Sequence, residues 1–474
     1  MISKVSSLNK YIVPHWLVFF LLGGGLFVVF HFFLGFNGLY GQDSHAYYQY
    51  SLKIKEMLQG SEDELGYFFW PKLYPFFGAL IGLTGVPVLF SLKLISLLSF
   101  IGILTYINKL IQLYHKKNGI LFILIAAATQ IYFLRGGFLV MSDMLAAFFC
   151  IFAFYQYSLY AQQGLFRNVV LFFVAAILAF FTRYPTGVLL FIPAVAMSYL
   201  IFKKSSVLIR LIIVLGSVGL IWFLMVFNSN FLNSLNHLIG TWSPSHIFSR
   251  NFKTPDGVSE HLVPNGMYAF GNFFHFGYLS FGSLLIPFYK KLKNAKPVLV
   301  TSIIFYLLFL AGHETQNYRF LLIVHPFVLL LLFHAHSSLK SWLKERRLFF
   351  LFIIGVLLFN VGFAWYSFRK IYKVHAIEVE ITQRVKNENY EGLIYSFYVD
   401  QSFKSYGLDN EVKNFFYEDY THFEKGALVI FNKDQFENQW AEHRVMQNWI
   451  RLKKNYHLDT VSLHTNNWII YRIK

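Results

Sequence analysis

Apolar residues in this chain gather into blocks, most of them about 16–23 residues long, set apart by short polar gaps. A helix of that length crosses a hydrocarbon core about 30 Å thick, so the pattern predicts an all-α polytopic membrane bundle. About eleven spans are expected, at 12–33, 86–107, 119–134, 138–160, 168–182, 186–202, 207–227, 273–289, 298–311, 320–336 and 348–368. The first follows Lys4 and Lys10 in the manner of a signal peptide. It is longer than a usual h-region, and no small-x-small cleavage site follows it, so it reads as a retained helix. No internal repeat of fixed period is visible.

Three longer polar stretches interrupt the pattern. The first loop, 35–85, carries an amphipathic run from Ala46 to Leu58 and the Pro-flanked segment Trp70-Pro71-Lys72-Leu73-Tyr74-Pro75. Such a run is expected to lie in the interface plane. The second, 228–272, is rich in Asn, His, Gly and Pro and keeps no period; loops of this length are commonly functional or disordered. The third is the tail, 369–474, with fifteen basic and fourteen acidic residues. Its apolar runs Gly392–Val399 and Ala427–Phe431, separated by polar helical stretches, predict a small soluble α/β domain. The expected organisation is therefore a membrane domain, 1–368, and a soluble domain, 369–474.

Composition agrees: 56% of the 474 residues are hydrophobic and 14% charged, against roughly a quarter charged in soluble domains. The net charge of +17 is compatible with nucleic acid or with an anionic membrane surface. Its distribution decides. With the N-terminus inside, the loops on that side hold seventeen basic residues against one acid, Glu345, while the opposite loops before the tail hold eight basic and nine acidic residues. Positive charge marks the cytoplasmic side, which places the acids and the tail outside, with a bacterial inner membrane as the expected location. No basic domain or motif supports nucleic-acid binding. The single cysteine, Cys150, lies in an apolar block, so no intramolecular disulfide forms.

Ionisable residues at a membrane edge are site hypotheses by default. Asp43 follows the first span in Gly41-Gln42-Asp43-Ser44-His45. It fits a general base for an incoming hydroxyl and equally an N-cap of the amphipathic helix. Asp143, preceded by Ser142 at the outer end of the fourth span, reads as a cap or a site carboxylate. Glu62, Asp63 and Glu64 read first as a solvated turn. Lys93, two turns inside the second span, either snorkels or holds a lipid phosphate. Most informative is His313-Glu314-Thr315-Gln316-Asn317-Tyr318-Arg319-Phe320, where polar residues crowd between two spans. Arg319 offers a fork suited to phosphate, or an interface anchor; Arg183, in Arg183-Tyr184-Pro185, is a second candidate on that face. No HExxH, paired cysteines, P-loop or GxSxG elbow is present, so no metal or cofactor is indicated, although a divalent ion remains compatible.

This layout resembles the GT-C superfamily of polytopic glycosyltransferases, which includes protein O-mannosyltransferases, the aminoarabinose transferase of lipid A and glycolipid mannosyltransferases. The resemblance covers about 10–370. It rests on Asp43, the Lys72-Leu73-Tyr74-Pro75 segment, Ser91-Leu92-Lys93-Leu94, Arg183-Tyr184-Pro185, and His313-Glu314 followed by Tyr318-Arg319-Phe320. The last looks like the His-Lys-Glu-x-Arg-Phe pattern of the glycolipid mannosyltransferases. The resemblance implies an inverting transfer from a polyprenyl-phosphate sugar to a lipid, glycan or protein acceptor. Asp43 would be the base, and Arg319, with Lys93 or Lys72 and with Arg183, would hold the departing phosphate. His45, Tyr74, His313, Glu314 and Tyr318 would contact substrate. Many members carry two adjacent acids in the first loop; here Ser44 and His45 follow Asp43, leaving Glu62 and Asp143 as candidates for the second carboxylate. Two other classes compete: a transporter or flippase, and a surface-polysaccharide polymerase or ligase with a lipid-diphosphate donor. Transporters favour midplane charges and repeated halves, neither of which is seen.

Overall fold

A computed structural model describes residues 14–204, 240–279, 295–345 and 347–474, apart from positions 67, 255, 256 and 464–466, together with the isolated positions 290 and 292. The expected span at 207–227 and most of that at 273–289 lie outside the described residues. Helices α1 (His15–Val28, continued by one π turn to Phe33), α4 (Val88–His115), α7 (Asp143–Gln163) and α9 (Thr186–Lys204) are long and apolar enough to cross a membrane. Shorter apolar helices accompany them: α3 (Leu73–Gly82), α8 (Phe166–Thr182), α13 (Pro297–Gly312) and the apolar part of α14 (Phe320–Glu345). The chain is an integral membrane protein.

The expected blocks do not all correspond to single helices among the described residues. The block at 119–134 is two helices, α5 (Ile120–Thr129) and α6 (Ile131–Gly136). They part at Gln130, whose backbone leaves the helical region and whose side chain bonds the buried His325. A polar partner on another helix outweighs a continuous apolar run. The first loop is largely helical, with α2 (Gly41–Leu58) lying against α3. Gly78 permits this stacking, since a Cβ there would fall on Ser51 of α2 and on Leu92 of α4.

The connection 240–279 contains a hairpin, β1 (Asn251–Thr254) with β2 (Gly257–Glu260), and three short helices: α10 (Asn265–Ala269), α11 (Gly271–Phe274) and α12 (Phe276–Leu279). Helix α15 (Arg347–Asn387) then runs for 41 residues, past the expected end of the last span, to the first strand of the tail. The tail forms the small α/β domain that its apolar runs predict. Strands β3 (Ile394–Ser396), β4 (Val412–Asn414), β5 (Leu428–Phe431), β6 (Leu458–Leu463) and β7 (Ile469–Ile473) lie in the order β4-β3-β5-β7-β6. The first three are parallel, and β7 and β6 are antiparallel. β3 and β5 are buried throughout, as continuous apolar strands covered on both faces must be. Helices α16 (Asp400–Ser405), α17 (Lys433–Phe436) and α18 (Arg444–Asn455) complete it.

The domain is fastened to the membrane helices. Val258 of the hairpin donates its N–H to the Gln439 carbonyl at 2.7 Å, and Lys253 pairs with Glu442. Gly257, at φ +91°, sits so close that a Cβ would meet the Gln439 backbone. On another side His45 Nε2 lies 3.2 Å from Glu378 Oε2, both side chains buried, joining α2 to α15. Asn37 and His375 meet the Tyr406 hydroxyl beside them, at 3.2 and 2.8 Å.

Candidate active site

Two carboxylates and two guanidiniums meet at the edge of the helical bundle. Arg319 Nη1 donates to Asp43 Oδ2 at 2.7 Å, while its Nε and Nη2 donate to Asp143 Oδ2 at 3.2 and 3.0 Å. Arg183 Nη1 donates to the other oxygen of Asp143 at 2.7 Å. The side chain of Asp143 is 2% exposed, against 27% for Asp43. Burial works against the charge on Arg319, but Asp143 and then Asp43 outweigh it and hold the guanidinium above its ordinary pKa. The four charges cancel. Asp143 is committed to holding two arginines; Asp43 is the carboxylate within reach of solvent.

Local chemistry places each of them. Ser44, one residue after Asp43, bonds both the N–H and the carbonyl of Tyr40, closing the start of α2. Asp43 therefore sits in the first turn, free of capping duty, with its side chain directed at Arg319. Ser142 stands at the N-cap of α7 but gives its hydroxyl to Tyr47 at 2.8 Å, so neither it nor Asp143 caps through its side chain. The connector before Arg319 is pinned to the connection 240–279: Tyr268 donates to the Asn317 carbonyl, Gln316 to that of Val263, and Asn265 to that of His313. Gly312 completes this packing, since a Cβ there would fall on the Trp242 indole. Asn317 Oδ1 accepts the Arg319 N–H at 3.0 Å, turning the chain into α14.

A cavity of about 540 Å³ opens beside these groups. Asp43, Asp143, Arg319 and Tyr318 line it, together with Arg135, Lys370, Tyr40, Tyr132, Tyr278 and Tyr398. Arg135 lies over the Tyr132 ring at 4.8 Å and the Tyr40 ring at 5.7 Å, and donates to Ser367 Oγ at 2.9 Å. Neither Arg135 nor Lys370 is paired with a carboxylate among the described residues. The cavity therefore carries two cations beyond its balanced quartet. Tyr398 reaches it from the sheet domain with φ +79°, a left-handed conformation that costs a bulky residue on the order of 1–3 kcal/mol.

Several residues singled out in the sequence lie elsewhere. Lys93 does not line the cavity: Nζ bonds His31 at 2.6 Å and the Phe36 carbonyl at 2.8 Å, so the residues after α1 capture it. Lys72 is exposed, 5.7 Å from the Tyr50 ring centroid. Glu62 is exposed beyond the end of α2 and does not approach Asp43. Tyr74 is buried on Tyr47 and bonds Leu92 and Ser96. His45 is turned to Glu378; His313 bonds Thr241 and Thr315; Glu314 is half-buried outside the cavity lining. Arg183 acts on the cavity only through Asp143. Arg135, Lys370 and Tyr398 were not singled out. Arg135 has the one signal a sequence could give, a lone cation at the outer end of a span. Among the described residues no three His, Cys, Asp or Glu side chains converge on a metal-sized site.

The backbone matches crystal structures of ArnT from Cupriavidus metallidurans. One is bound to undecaprenyl phosphate, with a TM-score of 0.61, and one is in the apo state, with 0.60. Identity is 12% in both, over 96% of this chain and 97% of the ArnT chain. No protein-family model and no curated protein matches the chain by sequence. A likeness at such low identity establishes the fold. This chain follows the course of ArnT over nearly its whole length, in keeping with the polytopic architecture expected from the sequence.

Proposed function

We propose that the chain is a glycosyltransferase that moves a sugar from a polyprenyl-phosphate donor to an acceptor hydroxyl, with inversion, at the extracytoplasmic edge of a bacterial inner membrane. The observation that carries the reading is the cavity itself: one accessible carboxylate, Asp43, beside two cations, Arg135 and Lys370, that no carboxylate pairs among the described residues. Asp43 Oδ1, which makes no hydrogen bond among the described residues, takes the acceptor proton. The acceptor oxygen bonds the anomeric carbon as the bond from that carbon to the phosphate oxygen breaks. The electron pair leaves with the phosphate, whose charge Arg135 and Lys370 offset. Arg319, engaged by both carboxylates, positions Asp43; the leaving phosphate is assigned to the unpaired cations instead. The fold shared with a protein crystallised with undecaprenyl phosphate supports a lipid-phosphate ligand. The strong inside-positive charge bias supports the orientation.

The test is Asp43→Asn in the purified full-length chain supplied with polyprenyl-phosphate sugars. Transfer is expected to fall by about 10²–10⁴-fold, with affinity for undecaprenyl phosphate unchanged. Full transfer by the variant would remove Asp43 as base. Transfer only from diphosphate donors, or uptake of an unmodified solute into liposomes, would replace the reading by one of the competing classes.

A further inference from the structure

We propose that Tyr398 is a binding residue for the phosphoryl head group, its hydroxyl delivered from the sheet domain into the membrane-edge cavity. The inference rests on the lipid-phosphate reading and adds to it a residue that no sequence pattern in the membrane domain supplies.

The topology brings it there. β3 has its sequence neighbours β4 and β5 on opposite sides, so its carboxyl end is a switch point, the place where open parallel sheets leave a crevice for ligands. Tyr398 occupies the turn directly after that end. Its backbone lies at φ +79°, where glycine or asparagine is the ordinary choice. The flanks fix the turn. Phe397 packs on Phe436 and Trp440 with ring centroids 4.9 and 5.0 Å away, Val399 is buried, and Asp400 accepts from Asn414 at 2.8 Å. The ring itself is half-buried and packs on the core of the sheet domain, so what packing leaves without a role is the hydroxyl.

The reason lies in the hydrogen-bond inventory of the cavity. The Tyr398 hydroxyl has no hydrogen-bond partner among the described residues. Burial first, then Tyr40, Glu378 and Asp43, push it up to about 12, so it remains a neutral donor. Both oxygens of Asp143 are taken by Arg183 and Arg319, and Asp43 Oδ2 by Arg319, which leaves only Asp43 Oδ1 open. Arg135, Lys370 and Tyr398 are thus donors in search of acceptor oxygens, which a phosphate supplies in number.

The experiment measures undecaprenyl phosphate binding and Tm for the full chain in nanodiscs, as wild type, Tyr398→Phe, Tyr398→Gly and Arg135→Gln. Tyr398→Phe keeps the ring and is expected to weaken binding about tenfold, as loss of a hydrogen bond to a charged group does, with Tm unchanged. Tyr398→Gly removes the ring and the hydroxyl together and is expected to weaken binding at least as much; a purely structural residue would leave Tyr398→Phe with wild-type binding. Excess inorganic phosphate, the same oxygens without the isoprenoid, is expected to compete only weakly, and full competition would make the site one for free phosphate. Wild-type affinity in Tyr398→Phe alongside weakened binding in Arg135→Gln overturns the inference and leaves the lipid-phosphate reading standing. Absence of binding by the wild type overturns both.

Discussion

Replacing Asp143 by Asn tests the division of labour between the two carboxylates. Asp143 accepts three charge-assisted bonds, one from Arg183 and two from Arg319. The two arginine side chains that would lose their counter-charge are 6% and 16% exposed. Stripping one partner from a buried pair costs about 3–5 kcal/mol, and here two cations share the loss. Asp43, with 27% exposure and a single bond to Arg319, is a different case. An asparagine there still offers Arg319 an amide oxygen, and Asp143 keeps its two bonds to the guanidinium. The assay is thermal unfolding in one detergent at one scan rate, because membrane-protein unfolding is commonly irreversible. Asp143→Asn should melt several degrees below wild type and Asp43→Asn close to it, although both lose transfer. Arg183→Gln should cost less in the Asp143→Asn background than alone, since the two act as a unit. If Asp143→Asn melts with the wild type, or Asp43→Asn falls as far, the assignment of Asp143 as structural clamp is refuted.

Other expectations follow from the same contacts. Arg135→Gln should weaken undecaprenyl phosphate binding by about 10–100-fold, as loss of a charge-assisted contact does, and should flatten its salt dependence in a titration series. Burial raises the Asp400 carboxyl, against its bonds to Asn414 and Gln401, so the folded state holds that proton more tightly than the unfolded one. Stability is then lost as pH climbs from about 3.9 through the raised folded value. Asp400→Asn should therefore raise Tm at neutral pH and leave it unchanged in acid, read from Tm against pH. Gly257→Val should push the hairpin off the Gln439 backbone; faster cleavage at the hairpin in limited proteolysis checks this, and wild-type protection would contradict it.

Much of the bundle could be read from block length, because a helix long enough to span lipid needs a continuous apolar run. The carboxylates Asp43 and Asp143 and the cation Arg319 were readable for a related reason: charge is costly at a membrane edge and so stands out. Their mutual roles were not, since Asp43 as cap and Asp43 as site residue look the same until Ser44 is seen to close the helix and Arg319 is seen beside the carboxylate. Lys93 shows the opposite limit. Its charge stood out equally, yet it is satisfied by His31 and a backbone carbonyl. The break at Gln130 left no trace in composition, because its cause, His325, is 195 residues away. Tyr398 was hidden twice over, being an ordinary residue in the sheet domain, whose docking surface no periodicity records.

Helix α15 has a mechanical consequence. Its 41 residues make a rod of about 60 Å that enters the tail without an intervening loop. Such a stalk resists bending, and the hairpin holds the sheet domain at a second point, so displacing that domain from the bundle means breaking the Val258–Gln439 contact as well as flexing the helix.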